Sequence, residues 1–366
     1  MVDADARFMA RALAIAERGR GHTSPNPMVG ALVVDADGVI VGSSAHAFAG
    51  GPHAEVLALA QAGSRAVGAT LYCTLEPCSH TGRTGPCAPL VVDAGIRRAV
   101  IAIEDPNPLV AGRGLAYLRE RGVDVRVGVL RDRAERLNGP FLTAMRHRRP
   151  FVTMKVAISR DGRVAARPGV RTPLTGLAAN RLIHRERAET DAIGVGAGTV
   201  LADDPVLTPR GAYRTRPLVR VIFDRSLRTP ASARMLSTLE AGPIIVMTAK
   251  RDDAGMRQRQ QALAAAGAQV EAIDATQDTF LQRALEFLAS SGVTSLILEG
   301  GPTLHRAAWA AGVVDRVQIF RTPVMLGPEG VPWLDGSVFQ VGALHDVRSV
   351  MLGDDVLVEG YVHGAD

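Results

Sequence analysis

Apolar residues recur at helical spacing in the opening stretch "MVDADARFMARALAIAERG", where Phe8, Ala12, Ile15 and Ala16 share one face and predict an amphipathic helix. Two short apolar runs then flank an Asp-Gly pair in "VGALVVDADGVIVGSSA", a hairpin signature. From there strands and helices alternate. "HAEVLALAQAG" reads as a helix closed by Gly63, "ATLYCTLEPC" as a strand running into a loop, "APLVVDAGI" as a helix, and "RAVIAIEDP" as a strand stopped by Pro106. "GLAYLRERG" and "VDVRVGVL" repeat the helix–strand pair, and "RAERLNGPFLTAMRHRRP" closes the segment.

A second series opens with the strand "FVTMKVAIS". Helix "GLAANRLIHRERAE" leads to strand "DAIGVG", and strands "LVRVIFD" and "PIIVMTA" follow. Helix "MRQRQQALAAAG" precedes strand "AQVEAID", helix "FLQRALEFLASSG" precedes "TSLILEGG", and strands run from "RVQIFRTPVML" to "DVLVEGYV". The basic run "RHRRP" at 146–150 reads as a solvated linker. The expectation is two α/β domains, 1–146 and 150–366, with largely parallel sheets and helices on both faces.

Composition narrows the function. At 366 residues, two domains are the default. A formal charge of +5, with Lys and Arg dispersed, suits anionic small molecules and leaves no arm for nucleic acid. No apolar run approaches the roughly 18 residues needed to span a bilayer. The N-terminus does not read as a signal peptide, because acids and arginines interrupt it. Three cysteines make no disulfide framework, so reduced thiols in the cytoplasm are expected. No membrane partner is expected.

Two of those cysteines carry chemistry. A catalytic zinc takes three protein ligands and leaves one position for water. His53, Cys78 and Cys87 offer an imidazole and two thiolates, and Glu55 follows His53 by two residues. Zinc-dependent base deaminases use this set, with a glutamate that handles protons without binding the metal. Cys73, within a strand, reads as core. Eight residues separate Cys78 from Cys87, and His80 among them is an alternative ligand. The insert also brings Arg83, suited to a phosphate-bearing substrate.

In the second half, "SLILEGGPTLHRAAWAAG" and "AIGVGAGTVLADDP" are Gly-rich strand exits. Each reads equally as a phosphate cradle or a plain tight turn, and neither is a complete G-x-G-x-x-G.

"PNPMVG", "HAE", "TLEPCSHTGRTGPC" and "DPNPLVAGRG", followed by "MKVAISRDGRVA", "VGAGTVLADDPVLTPR" and "LEGGPTL", closely resemble the riboflavin biosynthesis bifunctional deaminase/reductase. The resemblance implies a cytidine-deaminase-like three-layer domain followed by a dihydrofolate-reductase-like one. It implies zinc on His53, Cys78 and Cys87, and Glu55 as proton shuttle. Substrate contacts fall on Asn26 and His46 in the first half, and on Arg187, Leu207, Arg210 and Glu299 in the second. NADPH falls on Ala157, Thr199, Asp203 and the segment Gly301, Pro302, Thr303, Leu304, His305, Arg306 and Ala307. Asn26 between prolines is also a turn former, His46 a solvent-facing histidine, Arg187 a solvated arginine and Glu299 a helix N-terminal charge. Arg171 and Pro173 stand where the family often carries Ser and Trp, and Arg225 stands for a family serine. Either arginine could pair with a 2′-phosphate.

The expected function is deamination of a phosphorylated diaminopyrimidine, then reduction of its ribosyl group to ribityl. A homo-oligomer is expected. The rivals are a nucleic-acid base deaminase with an unrelated C-terminal domain, and a zinc-stabilised binding module without chemistry.

Overall fold

The structure is a computed structural model. It describes residues 3–79, 85–107, 110–251, 253–334, 336 and 338–364. The chain divides into two units, one running to His147 and the other spanning Arg148–Gly364. Among the described residues no helix is long and apolar enough to cross a membrane.

In the first unit α1 (Ala4–Ala16) precedes the hairpin β1 (Gly30–Val34) and β2 (Ile40–Ala45). Then come α2 (Ala54–Ala62), β3 (Thr70–Cys73), α3 (Cys87–Asp93), β4 (Arg98–Ile101), α4 (Arg113–Glu120), β5 (Asp124–Val127), α5 (Arg131–Leu137) and α6 (Gly139–His147). The sheet order is β2-β1-β3-β4-β5. Only β3, β4 and β5 run parallel, because β1 pairs antiparallel with both β2 and β3. The expectation of a largely parallel sheet is therefore met only in part here. A short Asp-Gly turn cannot return a strand in the same direction, and parallel pairing needs a crossover of a dozen or more residues.

Two glycines seat the helices on this sheet. A Cβ on Gly30 would lie 2.1 Å from the Ala12 carbonyl oxygen, and one on Gly42 would lie 2.0 Å from that of Ala58. α1 and α2 thus approach the strands more closely than any side chain permits. Gly42 in particular fixes the seat of α2, whose N-terminus carries His53 and Glu55.

The second unit holds β6 (Phe151–Ile158), β7 (Arg163–Ala165), α7 (Leu177–Glu189), β8 (Ala192–Gly196), α8 (Ala197–Asp203), β9 (Val219–Phe223) and β10 (Ile244–Ala249). It continues with α9 (Ala254–Ala265), β11 (Gln269–Ile273), α10 (Phe280–Ser290), β12 (Ser295–Leu298), α11 (Pro302–Ala310), β13 (Arg316–Arg321), β14 (Val331–Pro332), β15 (His345–Leu352) and β16 (Asp355–Tyr361). Nine strands order as β11-β10-β9-β8-β12-β6-β13-β16-β15. Every pair from β11 to β13 is parallel, and β16 and β15 close the edge antiparallel. Apolar clusters pack against the sheet, around Met154, Leu285 and Val317 in one and Ile222, Val246 and Met235 in another. The exits of β8 and β12 are neighbours at the C-terminal edge, since the two strands pair in register Leu298↔Gly194. Chain order reverses at this place, which is where open α/β sheets take ligands.

Candidate active sites

His53 stands at the N-cap of α2, yet its side chain makes no capping bond. The imidazole points instead at two sulfurs. His53 Nδ1 lies 3.2 Å from Cys87 Sγ and 3.5 Å from Cys78 Sγ. Cys78 sits in the loop after β3, and Cys87 opens α3, whose first amide donates to Cys78 Sγ at 3.4 Å. The three ligand atoms lie within 4.8 Å of one another, and among the described residues no fourth His, Cys, Asp or Glu joins them. A tetrahedral zinc with bonds of about 2.0–2.3 Å sets its ligands about 3.3–3.8 Å apart, so the donor set and its spacing fit that ion. The Cys87 thiol hydrogen-bonds Cys78 and holds it down to about 4. The same bond, together with burial, pushes Cys87 far up, so the two sulfurs share one proton until a cation claims both. Cys73 is buried in the core, and burial raises its thiol well above the usual range.

Glu55 is 4% exposed, in the first turn of α2. Burial pushes its carboxyl up, with help from the Cys78 charge, against the pull of its own backbone amide, of His53 and of a hydrogen bond with Cys87. It therefore faces the tripod as a group ready to hold a proton.

Asn26 and His46 come as a pair. His46 is 3% exposed, not solvent-facing. Its Nδ1 donates to the Pro52 carbonyl at 3.1 Å, and its Nε2 accepts from the Asn26 amide at 3.1 Å. Burial keeps the ring neutral, and the ring sits edge-on to His53 at 5.7 Å. Asn26 is thus held beside the tripod and is more than a turn former. Arg83 and His80 lie outside the described residues.

Two positioning groups were missed in the sequence. Buried Asn138 holds Met28 on both sides, accepting from its N–H at 2.8 Å and donating to its carbonyl at 3.0 Å, which pins the "PNPMVG" loop. Buried Glu76, two residues before Cys78, accepts from the amides of Asp105, Gly112, Gly114 and Leu115 at 2.8–3.3 Å. This explains the "GRG" at 112–114. A Cβ on Gly114 would lie 1.9 Å from the Pro77 carbonyl oxygen, so only glycine brings its amide to the carboxylate. The legible signal was a glutamate before Pro-Cys paired with a distant double glycine.

In the second unit, Glu299 follows β12 at the sheet's C-terminal edge. Arg187 grips it through Nε and Nη2 at 2.8 and 2.7 Å, and Lys155 Nζ lies 3.5 Å away. Burial raises the Glu299 carboxyl, but the two cations outweigh it and hold the group far below the carboxylate range. Burial lowers the Lys155 ammonium against the pull of Glu299. Arg187 also donates through Nη1 to the Thr208 carbonyl at 3.3 Å, so it is not a solvated arginine. Lys155 was not singled out, although a lone charge inside the apolar run "FVTMKVAI" was its signal.

Thr199 and Gly301 face each other across the two strand exits: a Cβ on Gly301 would lie 3.7 Å from Thr199 Oγ1. On Gly300 a Cβ would come within 2.7 Å of Leu304. α11 starts with Pro302 at its first turn, so its free amides point outward at a bare backbone. Nearby, Arg225 Nε is buried without a hydrogen-bond partner, two residues past β9 and next to the β8 exit. A glycine cradle, with a guanidinium whose buried Nε has no partner and whose face lies over the Phe280 ring, fits an anionic dinucleotide. Ala157 lies in β6 beside β13. Asp203 ends α8, where burial raises its carboxyl and Arg171 opposes this. His305 is wholly buried, donating through Nε2 to the Leu298 carbonyl and accepting at Nδ1 from Trp333, so it offers the site only its backbone. Leu207 points its side chain into the core from a backbone with φ 58°. Arg210 lies on His184, exposed at the rim of a cavity with Arg181 and Arg185.

Residues 2–103 match the cytidine and deoxycytidylate deaminase zinc-binding region, and residues 150–358 match the RibD C-terminal domain. Fold and matches together define a zinc-binding deaminase joined to a reductase. The riboflavin biosynthesis protein RibD of Bacillus amyloliquefaciens is 42% identical over 95% of this chain and 94% of its own. Acinetobacter baumannii RibD superposes with a TM-score of 0.84 at 35% identity, covering 98% of both chains. The Thermotoga maritima diaminohydroxyphosphoribosylaminopyrimidine deaminase/5-amino-6-(5-phosphoribosylamino)uracil reductase superposes with a TM-score of 0.82 at 31% identity, again over 98% of both. The chain belongs to the RibD family of riboflavin biosynthesis proteins. It is a bifunctional enzyme, a zinc-dependent deaminase and an NADPH-dependent reductase.

Proposed function

We propose that residues 1–146 deaminate 2,5-diamino-6-(5-phosphoribosylamino)pyrimidin-4-one to 5-amino-6-(5-phosphoribosylamino)uracil. Residues 150–366 then reduce the opened ribosyl group to ribityl. The observation that carries the first step is the His53–Cys78–Cys87 tripod with a buried, non-ligating Glu55 beside it. Zinc bound there supplies a water that is nucleophilic at neutral pH. Glu55 takes the proton given up when water adds to the amidine carbon, and passes it to the departing amine, so water enters and ammonia leaves. Asn26, held by His46, orients the ring. A purely structural zinc site has no use for Glu55. The C-terminal family match leaves the nucleic-acid deaminase reading without support for its second half.

In the second unit the segment 301–307, which is Gly301 and the first turns of α11, receives the pyrophosphate beside Thr199, Ala157 and Asp203. Arg225 meets the 2′-phosphate in this reading, supported by its partnerless buried Nε. NADPH supplies hydride to C1′ of the sugar in its open imine form. The electron pair of the C=N bond moves to nitrogen, which takes one proton. Lys155 is the buried proton carrier at the site, Glu299 holds it and meets the sugar hydroxyls, and Arg210 meets the sugar phosphate.

Lys155→Met is expected to lower the reductase rate by about 10²-fold or more while deamination continues, followed through NADPH absorbance and ammonia release. Because burial depresses the ammonium, the wild-type hydride step should fall as pH rises through a value below the ordinary lysine range. The variant should lack that alkaline limb. An unchanged rate and profile would remove Lys155 from the chemistry.

The working assembly is a homo-oligomer, in the cytoplasm, without a nucleic-acid partner. β15 supports the first point. It is an outer strand of the nine-stranded sheet, exposed along most of its length, with Val347, Val350 and Met351 in solvent. Such an edge is a template for a second copy. Light scattering should give a multiple of the chain mass that Val350→Lys reduces; a monomer at micromolar concentration would refute the assembly.

A further inference from the structure

The segment 204–210 follows α8 and carries two residues with side chains in left-handed backbone, Asp204 at φ 41° and Leu207 at φ 58°. Such conformations persist only where the surroundings over-determine them. Four contacts do so here. Asp204 accepts from the Arg234 amide at 2.8 Å, and the Leu207 side chain is buried in the core. Arg187 donates to the Thr208 carbonyl, and His184 Nδ1 accepts from the Arg210 amide at 3.2 Å, sharing that N–H with the Thr208 carbonyl at 3.1 Å. His184 and Arg187 are three residues apart on α7, so they stand one above the other and pin the segment at two successive points.

We propose that His184 is a positioning residue of the reductase site: as the neutral Nε2–H tautomer it fixes the Arg210 backbone, and so sets that guanidinium where the sugar phosphate arrives. The inference rests on the reading of Arg210 as a phosphate contact. Arg210 Nη2 lies 3.5 Å from His184 Nε2, and both atoms carry hydrogen in this tautomer, so that approach is packing and not a bond. Among the described residues the Arg210 guanidinium meets no carboxylate. It faces a cavity lined also by Arg181 and Arg185, with Glu189 the one carboxylate among three arginines. A protonated ring would turn Nδ1–H against the Arg210 N–H and add one more positive charge. Burial and the guanidiniums of Arg187 and Arg210 oppose this and outweigh the pull of Glu299 and the Thr208 carbonyl.

The identity of the accepting nitrogen makes the inference testable. Asparagine can place its amide oxygen near the position of Nδ1, whereas glutamine reaches the position of Nε2. In the full-length enzyme, His184→Ala is expected to raise the reductase KM for substrate roughly five- to tenfold with kcat little changed, as one lost backbone hydrogen bond implies. His184→Asn should return KM to within about twofold of wild type, and His184→Gln should behave like His184→Ala. Deamination and the thermal midpoint report that the variants remain folded. Arg210→Ala, measured alongside, should raise KM further, by roughly 10- to 100-fold, as loss of a contact to a charged group implies. If Arg210→Ala raises KM and His184→Ala does not, or if Asn and Gln rescue equally, the positioning role is overturned. If Arg210→Ala leaves KM unchanged, the phosphate reading fails and takes this inference with it.

Discussion

Glu55→Gln is expected to cut ammonia release by about 10²- to 10⁴-fold, the usual worth of a general acid–base group. Zinc content and the reductase rate should stay at wild-type values. Glutamine keeps the shape of the side chain at a 4%-exposed position, so the core beneath α2 does not have to repack. The change removes only the capacity to gain and lose a proton. Burial raises the Glu55 carboxyl, which suits a group that must hold the proton between water and amine. The neutral amide cannot do so at any pH, so raising or lowering pH should not rescue the variant. Ammonia production, NADPH oxidation and zinc measured on the same preparation check the expectation. Deamination surviving at wild-type rate would show that the proton travels elsewhere.

Much of this was legible because the signals are local. His53 and Glu55 lie two apart at the start of a helical period, and Cys78 follows a strand, so spacing pointed to these three, while His80 stayed an alternative to Cys87 until the family resemblance named the ligands. The hairpin, the alternation of strands with helices and the glycine exits of β8 and β12 were legible for the same reason. What stayed hidden depends on contacts between distant segments. Glu76 looks like any acid before Pro-Cys until the fold brings amides from Asp105 to Leu115 onto its carboxylate. Asn138 lies 110 residues from the backbone it pins. α8 was read as part of a glycine-rich turn, since "AGTVLAD" is too short to show helical periodicity. Only the solvent-facing alternatives for Arg187 and His46 are overturned, and by burial. An arginine within "HRERAE" reads as solvated, yet the opposing charge of Glu299 compensates its desolvation.

Cys87→Ala is expected to abolish deamination and to lower bound zinc to a small fraction of one equivalent, with NADPH-dependent reduction retained. The argument is one of ligand count. Two remaining donors cannot hold a tetrahedral dication against solvent, and the variant removes a sulfur with no neighbouring His, Cys, Asp or Glu among the described residues to replace it. It also strips the hydrogen bond that holds Cys78 as a thiolate, so the second ligand loses its preference for the charged form. Cys73→Ala is the informative control. That thiol is as deeply buried, but it belongs to the apolar cluster of the first unit, and its loss should cost stability of about 1–2 kcal/mol without loss of metal. The retained reductase follows from separate cores: Val152, Met154 and Leu298 pack within the second unit and share no cluster with α2 or α3. Chelation of the wild-type enzyme should reproduce the Cys87→Ala phenotype and reverse on adding zinc, whereas the variant should not recover. Equal zinc in the Cys87→Ala and Cys73→Ala proteins would mean that the metal, if present, is held by other residues.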